Sequence, residues 1–247
     1  MRTVAEVIRA LAERIGRTAD AWLFPRDVAC LCCDRALAED AQDGLCPACQ
    51  AVLDEAFDQM QAEEVPVPML APGIGYVHAA FPYDGEARRL IMRLKFQSMR
   101  AAAVPLARAM SLMPTGEEEL IVPVPTTKRR LRERGFNQAA LLAQWLSEEW
   151  GMPMVEALER RDAHAAQVTL SAKQRRRNLQ GCMRAVQDVA GKRILLVDDV
   201  YTTGSTAQEA ARALLEGGAR GVGMIVAARA VSDAEEKLDD LFTPRRK

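Results

Sequence analysis

The chain has 247 residues, 49% of them hydrophobic and 27% charged, with a net charge of −1. That is enough for one large domain or two unequal ones with a sizeable core, and it excludes a histone-like polycation. Aromatic residues make up only 5%, which argues against a nucleic-acid reader built on rows of exposed rings. Charge is unevenly spread: residues 1–65 carry 6 Lys+Arg against 13 Asp+Glu, and residues 66–247 carry 27 against 21. The second part therefore favours anionic ligands.

Residues 2–22 read as an amphipathic helix, with Val4, Ile8, Leu11 and Ile15 on one face. Glu6, Arg9, Glu13 and Arg14 interrupt any signal-peptide core, and no stretch approaches the roughly 18 apolar residues of a membrane span. A cytoplasmic protein without membrane insertion is expected. A segment of little regular pattern follows, and it holds five of the six cysteines. Residues 65–73 hold three prolines and a glycine, a breaker-rich stretch that marks a boundary. The predicted units are 1–64, a helix with a metal module, and 74–247.

Beyond the boundary the pattern alternates. Strands are expected at Ile74–Phe81, Leu120–Val124 and Val155–Leu158, and helices at Glu86–Phe96, Ala101–Leu112 and Phe136–Trp150. Residues 160–182 are basic and lack a period. The clearest unit is the strand Arg193–Val197, the helix Ser205–Glu216 ended by Gly217-Gly218, and the strand Val222–Ala227. Apolar strands joined by a helix mean a parallel sheet covered on both faces, an α/β fold.

Cys30 and Cys33 form one C-x2-C knuckle, and Cys46 and Cys49 form a second. Four thiolates at this spacing surround Zn²⁺ tetrahedrally, which favours a closed structural zinc site over scattered core cysteines or a redox pair. Cys32 is surplus, Cys182 reads as a core residue, and His78 and His164 lack metal-ligand spacing.

The most informative stretch runs from Ile194 to Thr206. An apolar strand delivers Asp198 and Asp199 to the carboxyl end of the sheet, where open α/β sheets bind ligands. Thr202, Thr203, Gly204, Ser205 and Thr206 then open a helix, and such a turn makes a nest for a phosphate. Two carboxylates can accept from two vicinal hydroxyls, so the arrangement suits a sugar phosphate. A G-x-x-x-x-G-K loop is absent. Two basic runs, Lys128–Arg134 and Lys173–Arg177, suit a solvated face, a pyrophosphate or a DNA strand. Asn137 and Gln138 can orient a ligand or cap a helix.

The acid pair and its turn resemble the 5-phosphoribosyl-1-pyrophosphate (PRPP) motif of type I phosphoribosyltransferases. Leu23-Phe24-Pro25, the doubled C-x2-C, Leu94-Lys95-Phe96, Pro123-Val124-Pro125, Arg134-Gly135-Phe136-Asn137-Gln138, and Leu170-Ser171 with Arg177-Asn178 follow in order. Together they resemble the ComF family of bacterial competence proteins over roughly residues 20–230. The resemblance implies a type I phosphoribosyltransferase-like parallel sheet with a small N-terminal zinc-ribbon-like module. It implies a role in natural transformation or the handling of imported DNA. Asp198 and Asp199 would hold the ribose hydroxyls, and Thr202–Thr206 the 5-phosphate. Thr126 and Thr127 would face pyrophosphate and its Mg²⁺, with Lys128, Arg134, Arg175, Arg176 and Arg177 as counter-charges. A basic hood at 160–180 would close over them.

Hypoxanthine-type enzymes carry an acid where this chain has Thr202, which disfavours a 6-oxopurine acceptor. No side chain is assigned as general base. A transferase for an unknown acceptor is the first expectation. The alternative is a non-catalytic single-stranded-DNA-handling protein whose PRPP site is regulatory or vestigial, with competence or recombination proteins as partners.

Overall fold

The computed structural model describes residues 29–37, 41–62, 72–161 and 181–230. The helix expected at 2–22, Leu23-Phe24-Pro25, His164, most of the proline-rich stretch, and Arg175, Arg176 and Arg177 with the rest of 162–180 lie outside the described residues. Four strands form one parallel sheet: β1 (Val77–Pro82), β2 (Leu120–Pro123), β5 (Arg193–Tyr201) and β6 (Gly221–Arg229), in the order β1-β6-β5-β2. The registers are parallel throughout, with Val77 against Met224, Val197 against Ile225, and Ile121 against Leu195. A two-stranded antiparallel ribbon, β3 (Leu158–Arg160) with β4 (Met183–Ala185), stands apart from the sheet.

Strand side chains alternate between faces, and here both faces are apolar. Leu195, Val197, Ile225 and Ala227 belong to one buried cluster, and Ile194, Leu196, Met224 and Val226 to the other. The first face is covered by α2 (Gly85–Phe96), α3 (Ala103–Ser111) and α5 (Gln138–Trp150), through Leu90, Leu94, Leu106, Met110, Leu142 and Leu146. The second is covered by α6 (Ser205–Glu216), through Ala207, Ala210, Ala211 and Leu214. This is the two-sided α/β sheet that the continuous apolar strands require.

Two helices were not anticipated from the pattern. α1 (Pro47–Ala62) grows directly out of the second cysteine knuckle. It packs on edge strand β1, with Phe57 edge-on to Phe81 at 6.2 Å and Gln61 Nε2 donating to the Ala79 carbonyl at 3.0 Å. It thereby covers an edge that would otherwise be open for pairing. Cys30, Leu31, Cys46 and Leu53 share one continuous buried cluster with Phe81, Leu90 and Val197.

The other unanticipated helix is α4 (Lys128–Arg134), which has no buried residue. Thr127 Oγ1 accepts from Arg130 N at 3.2 Å to start it, and Gly135, at φ +79°, ends it. The strand expected at Val155–Leu158 divides in two: residues beside Met154 pair parallel with Ile121, and Leu158 opens β3. Among the described residues no helix is long and apolar enough to cross a membrane.

Candidate functional site

The carboxyl ends of β2 and β5 open into a cleft of roughly 200 Å³. Asp198 and Asp199 form its acidic floor, with Thr202 and Thr206 on one side and Thr126 on the other. Lys95, Arg130 and Arg160 reach it from α2, α4 and β3. Acid and base therefore meet in one concave surface, as recognition of a ligand bearing both hydroxyls and phosphates requires.

The two carboxylates stand in different surroundings. Asp199 is buried, with Lys95 Nζ 3.1 Å from Oδ1 and Gln138 Nε2 3.5 Å from Oδ2. Asp198 Oδ1 accepts the Asp199 backbone N–H at 2.8 Å. Burial and the Asp199 carboxylate push the Asp198 carboxyl up to about 7, against the smaller opposing pull of Lys95 and Arg160.

After β5 the chain turns through Thr202 and Thr203 to Gly204, which sits at φ +71° at the start of α6. Only glycine takes that conformation without steric cost. Thr203 and Ser205 hydroxyls lie 2.8 Å apart across the turn, and Gln208 N donates to the Gly204 carbonyl at 2.7 Å, closing the first helical turn. The leading amides of this 12-residue helix and the hydroxyls around them face the same recess as Asp198.

The four cysteines converge as well. The Sγ atoms of Cys30, Cys33, Cys46 and Cys49 all lie within 4.8 Å of one another, and Cys33 and Cys46 are 3.7 Å apart. A tetrahedral ion with metal–sulfur bonds of about 2.3 Å sets its ligands about 3.8 Å apart, so the group can hold a metal such as zinc. Burial alone would raise the Cys30 thiol. Amide N–H groups of Cys46, Cys33 and Cys32 outweigh it and bring it down to about 6. Cys32 stays outside the four, its thiol 3.9 Å from the Glu86 carbonyl.

Residues 131–244 match the phosphoribosyl transferase domain family. The chain is 42% identical over 142 residues to the DNA utilization protein YhgH of Escherichia coli O157:H7, covering 53% of this chain and 61% of that one. It is 37% identical over 137 residues to competence protein F of Haemophilus influenzae, covering 51% and 60%. To competence protein ComFC of Bacillus subtilis it is 30% identical over 146 residues, covering 57% and 58%. Over this span the chain is similar to competence proteins of the ComF type. It spans about three fifths of the length of the curated relatives it matches.

The cleft gathers Asp198, Asp199, Thr202, Thr206 and Thr126 from the sequence-predicted set. Gly204 and Ser205 line the adjoining recess, and Thr203 bonds Ser205 beside it. Thr127 is spent as a helix cap, and Lys128 follows it in the first turn. Arg134 lies over the Phe96 ring at 5.2 Å, where burial and Arg130 lower its pKa and the Asp199 carboxylate opposes them. Arg130, from the same run, lines the cleft.

Lys95, Tyr83, Arg130 and Arg160 were not singled out by residue-type reasoning. For Lys95 the available signal was its place in Leu94-Lys95-Phe96, part of the family resemblance. Asn137 and Gln138 both serve the site: Asn137 Nδ2 donates to the Val124 carbonyl at 3.0 Å, and Gln138 reaches Asp199. Asn137 occupies the cap position of α5 without a side-chain cap bond, its amide tethering the end of the β2 loop instead.

Proposed function

We propose that this ComF relative binds PRPP in the cleft and acts as a phosphoribosyltransferase-type protein in the handling of imported DNA. One observation carries the reading: an adjacent carboxylate pair and a hydroxyl-rich phosphate turn share one cleft with three cations. Asp198 and Asp199 accept from the ribose 2′ and 3′ hydroxyls, and Thr202–Thr206 hold the 5-phosphate. Thr126, Arg130 and Arg160 face the pyrophosphate. Mg²⁺ bound with PRPP would neutralise pyrophosphate charge. In transfer, the bond from ribose C1 to pyrophosphate breaks and the electron pair leaves with pyrophosphate, whose growing charge the cations stabilise. The acceptor then bonds C1 and gives up a proton.

The competence and DNA-utilization names of the relatives support DNA as the biological context, with single-stranded DNA and competence or recombination proteins as partners in the cytoplasm. In the cysteine module four thiolates would fill all positions of a zinc ion, which makes the metal structural. The decisive experiment mixes the protein with PRPP, Mg²⁺ and a panel of acceptors and measures pyrophosphate release, beside calorimetric PRPP binding. Release with one acceptor is expected. Absence of PRPP binding would overturn the reading.

A further inference from the structure

Helix α2 is fixed in the core by Ala87, Leu90, Ile91 and Leu94. Its last turn places two cations on opposite duties. Arg93 forms a two-pronged pair with Asp34 of the cysteine module, one prong at 2.6 Å. Lys95 turns the other way, to Asp199. Both partners of that second pair are shielded: the Lys95 side chain is 18% exposed and that of Asp199 9%. Gln138, itself 5% exposed, donates to the other carboxylate oxygen. Its Oε1 is buried without a hydrogen-bond partner among the described residues, and Asp199 is the side-chain contact its amide nitrogen makes.

Two adjacent carboxylates in a half-closed cleft repel, and an uncompensated pair retains a proton. A protonated carboxyl is a weaker acceptor than a carboxylate for a ribose hydroxyl. We infer that Lys95 is a positioning residue: from the end of α2 it holds Asp199 charged and oriented as a hydroxyl acceptor, with Gln138 fixing the second oxygen. The inference rests on the PRPP reading of the cleft for its ligand, and on the ion pair for its geometry. The other charged groups facing the acid pair are Arg160 from β3 and Arg130 and Arg134 from α4. Among the described residues, Lys95 is the one of these cations that stands at ion-pair distance from either carboxylate.

The rival role for Lys95 is a direct counter-charge to pyrophosphate. The two roles separate with two ligands. Lys95→Met should weaken ribose 5-phosphate, which has no pyrophosphate, and PRPP by the same factor, about tenfold or more. Loss for PRPP with ribose 5-phosphate unchanged assigns Lys95 to pyrophosphate and overturns the proposal. A ligand-independent arm uses thermal unfolding of the wild type, Lys95→Met, Asp199→Asn and the double variant at pH 5.5 and pH 8. With Lys95 gone, the folded acid pair binds protons that the unfolded chain does not, so the Lys95→Met deficit should widen towards pH 8. It should shrink sharply in the Asp199→Asn background. Additive effects, or a deficit independent of pH, overturn the proposal even if the wild type binds neither ligand, a result that would separately remove the PRPP reading.

Discussion

Replacing Asp198 by Asn tests the acid pair most directly, because it separates folding from ligand binding. The Asn side chain keeps the shape and can still accept the Asp199 N–H that Asp198 Oδ1 now accepts at 2.8 Å. What it loses is the titration. The Asp198 carboxyl lies at 3.8 in the unfolded chain and about 7 in the folded one. The folded state therefore holds the extra proton between these limits. Asp198 contributes stability that is fully present below about pH 4 and lost as pH rises through 7. A shift of about three units caps the loss at roughly 4 kcal/mol, at about 1.4 kcal/mol per unit. Asp198→Asn is thus expected to match the wild type near pH 4 and to exceed it in stability at pH 8, by no more than that cap. PRPP binding should move the opposite way. The charged acceptor is worth roughly 1.5–3 kcal/mol, so affinity at pH 8 should fall about ten- to a hundredfold. Urea unfolding across pH 4–8 and calorimetric PRPP titration on the same preparations read both. Parallel pH profiles for the two proteins would refute the proton assignment. Lower stability with unchanged PRPP affinity would sink the ribose role itself.

Protein purified without chelator should carry about one zinc per chain, and less than about half a zinc would count against a four-thiolate site. Because Cys30, Leu31 and Cys46 are buried in the same cluster as Leu90 and Val197, chelation should lower the melting temperature of the whole unit and weaken PRPP binding together. Two separate melting steps with PRPP affinity intact would contradict the shared core. Changing Arg175, Arg176 and Arg177 to Ala should weaken single-strand binding and flatten its salt slope by up to about 2 units, at roughly 0.7 per phosphate contact. An unchanged slope places the DNA site elsewhere. Glu209 is 4% exposed, accepts from Met183 N at 3.0 Å and pairs with Arg212 at 2.8 Å. Burial alone would raise its carboxyl, but Arg212 and the Met183 N–H outweigh it and hold it below the usual range, so its contribution disappears as pH falls. Glu209→Ala should cost about 1–3 kcal/mol at pH 7, chiefly through the stranded Met183 N–H, and an unshifted melting temperature would exclude that anchoring role.

The sheet was legible because burial on both faces writes itself as unbroken apolar runs. Ile194–Val197 and Val222–Ala227 declare strands in any context, and Ser205–Glu216 keeps its predicted ends because Gly204 and Gly217 bracket it. The elements that sequence reasoning missed lack that signature. α4 buries nothing, so no apolar stripe marks it. It is specified instead by a threonine cap and a left-handed glycine around a charged run. α1 begins inside the cysteine spacing, where metal-ligand logic masks helical periodicity, and only Cys49, Leu53 and Met60 reach the interior. β3 and β4, three residues each, hold one another across a long excursion of chain, a pairing that local pattern does not encode.

The cleft follows the same division. Its local half is written contiguously: Asp198, Asp199 and the turn to Ser205 are neighbours in sequence, and the strand end alone brings them together. Its cationic half is assembled from three distant elements, so the type and number of arginines say little about which of them arrives. Arg134 sits in a suggestive motif and stacks on Phe96 within the field of Asp199, while Arg130, four residues earlier and on the neighbouring turn of α4, lines the cleft. Lys95 shows the reason most clearly. One turn carries Leu94 into the core, Arg93 to the cysteine module and Lys95 to Asp199. A lysine next to a fully buried leucine at a helix end would ordinarily extend into solvent. Here the sheet end rises to meet it, and a charge that reads as surface decoration becomes the counter-ion of the site. The same helix thus touches the cysteine module at one side chain and the acid pair at another, so a shift of its last turn would move both together.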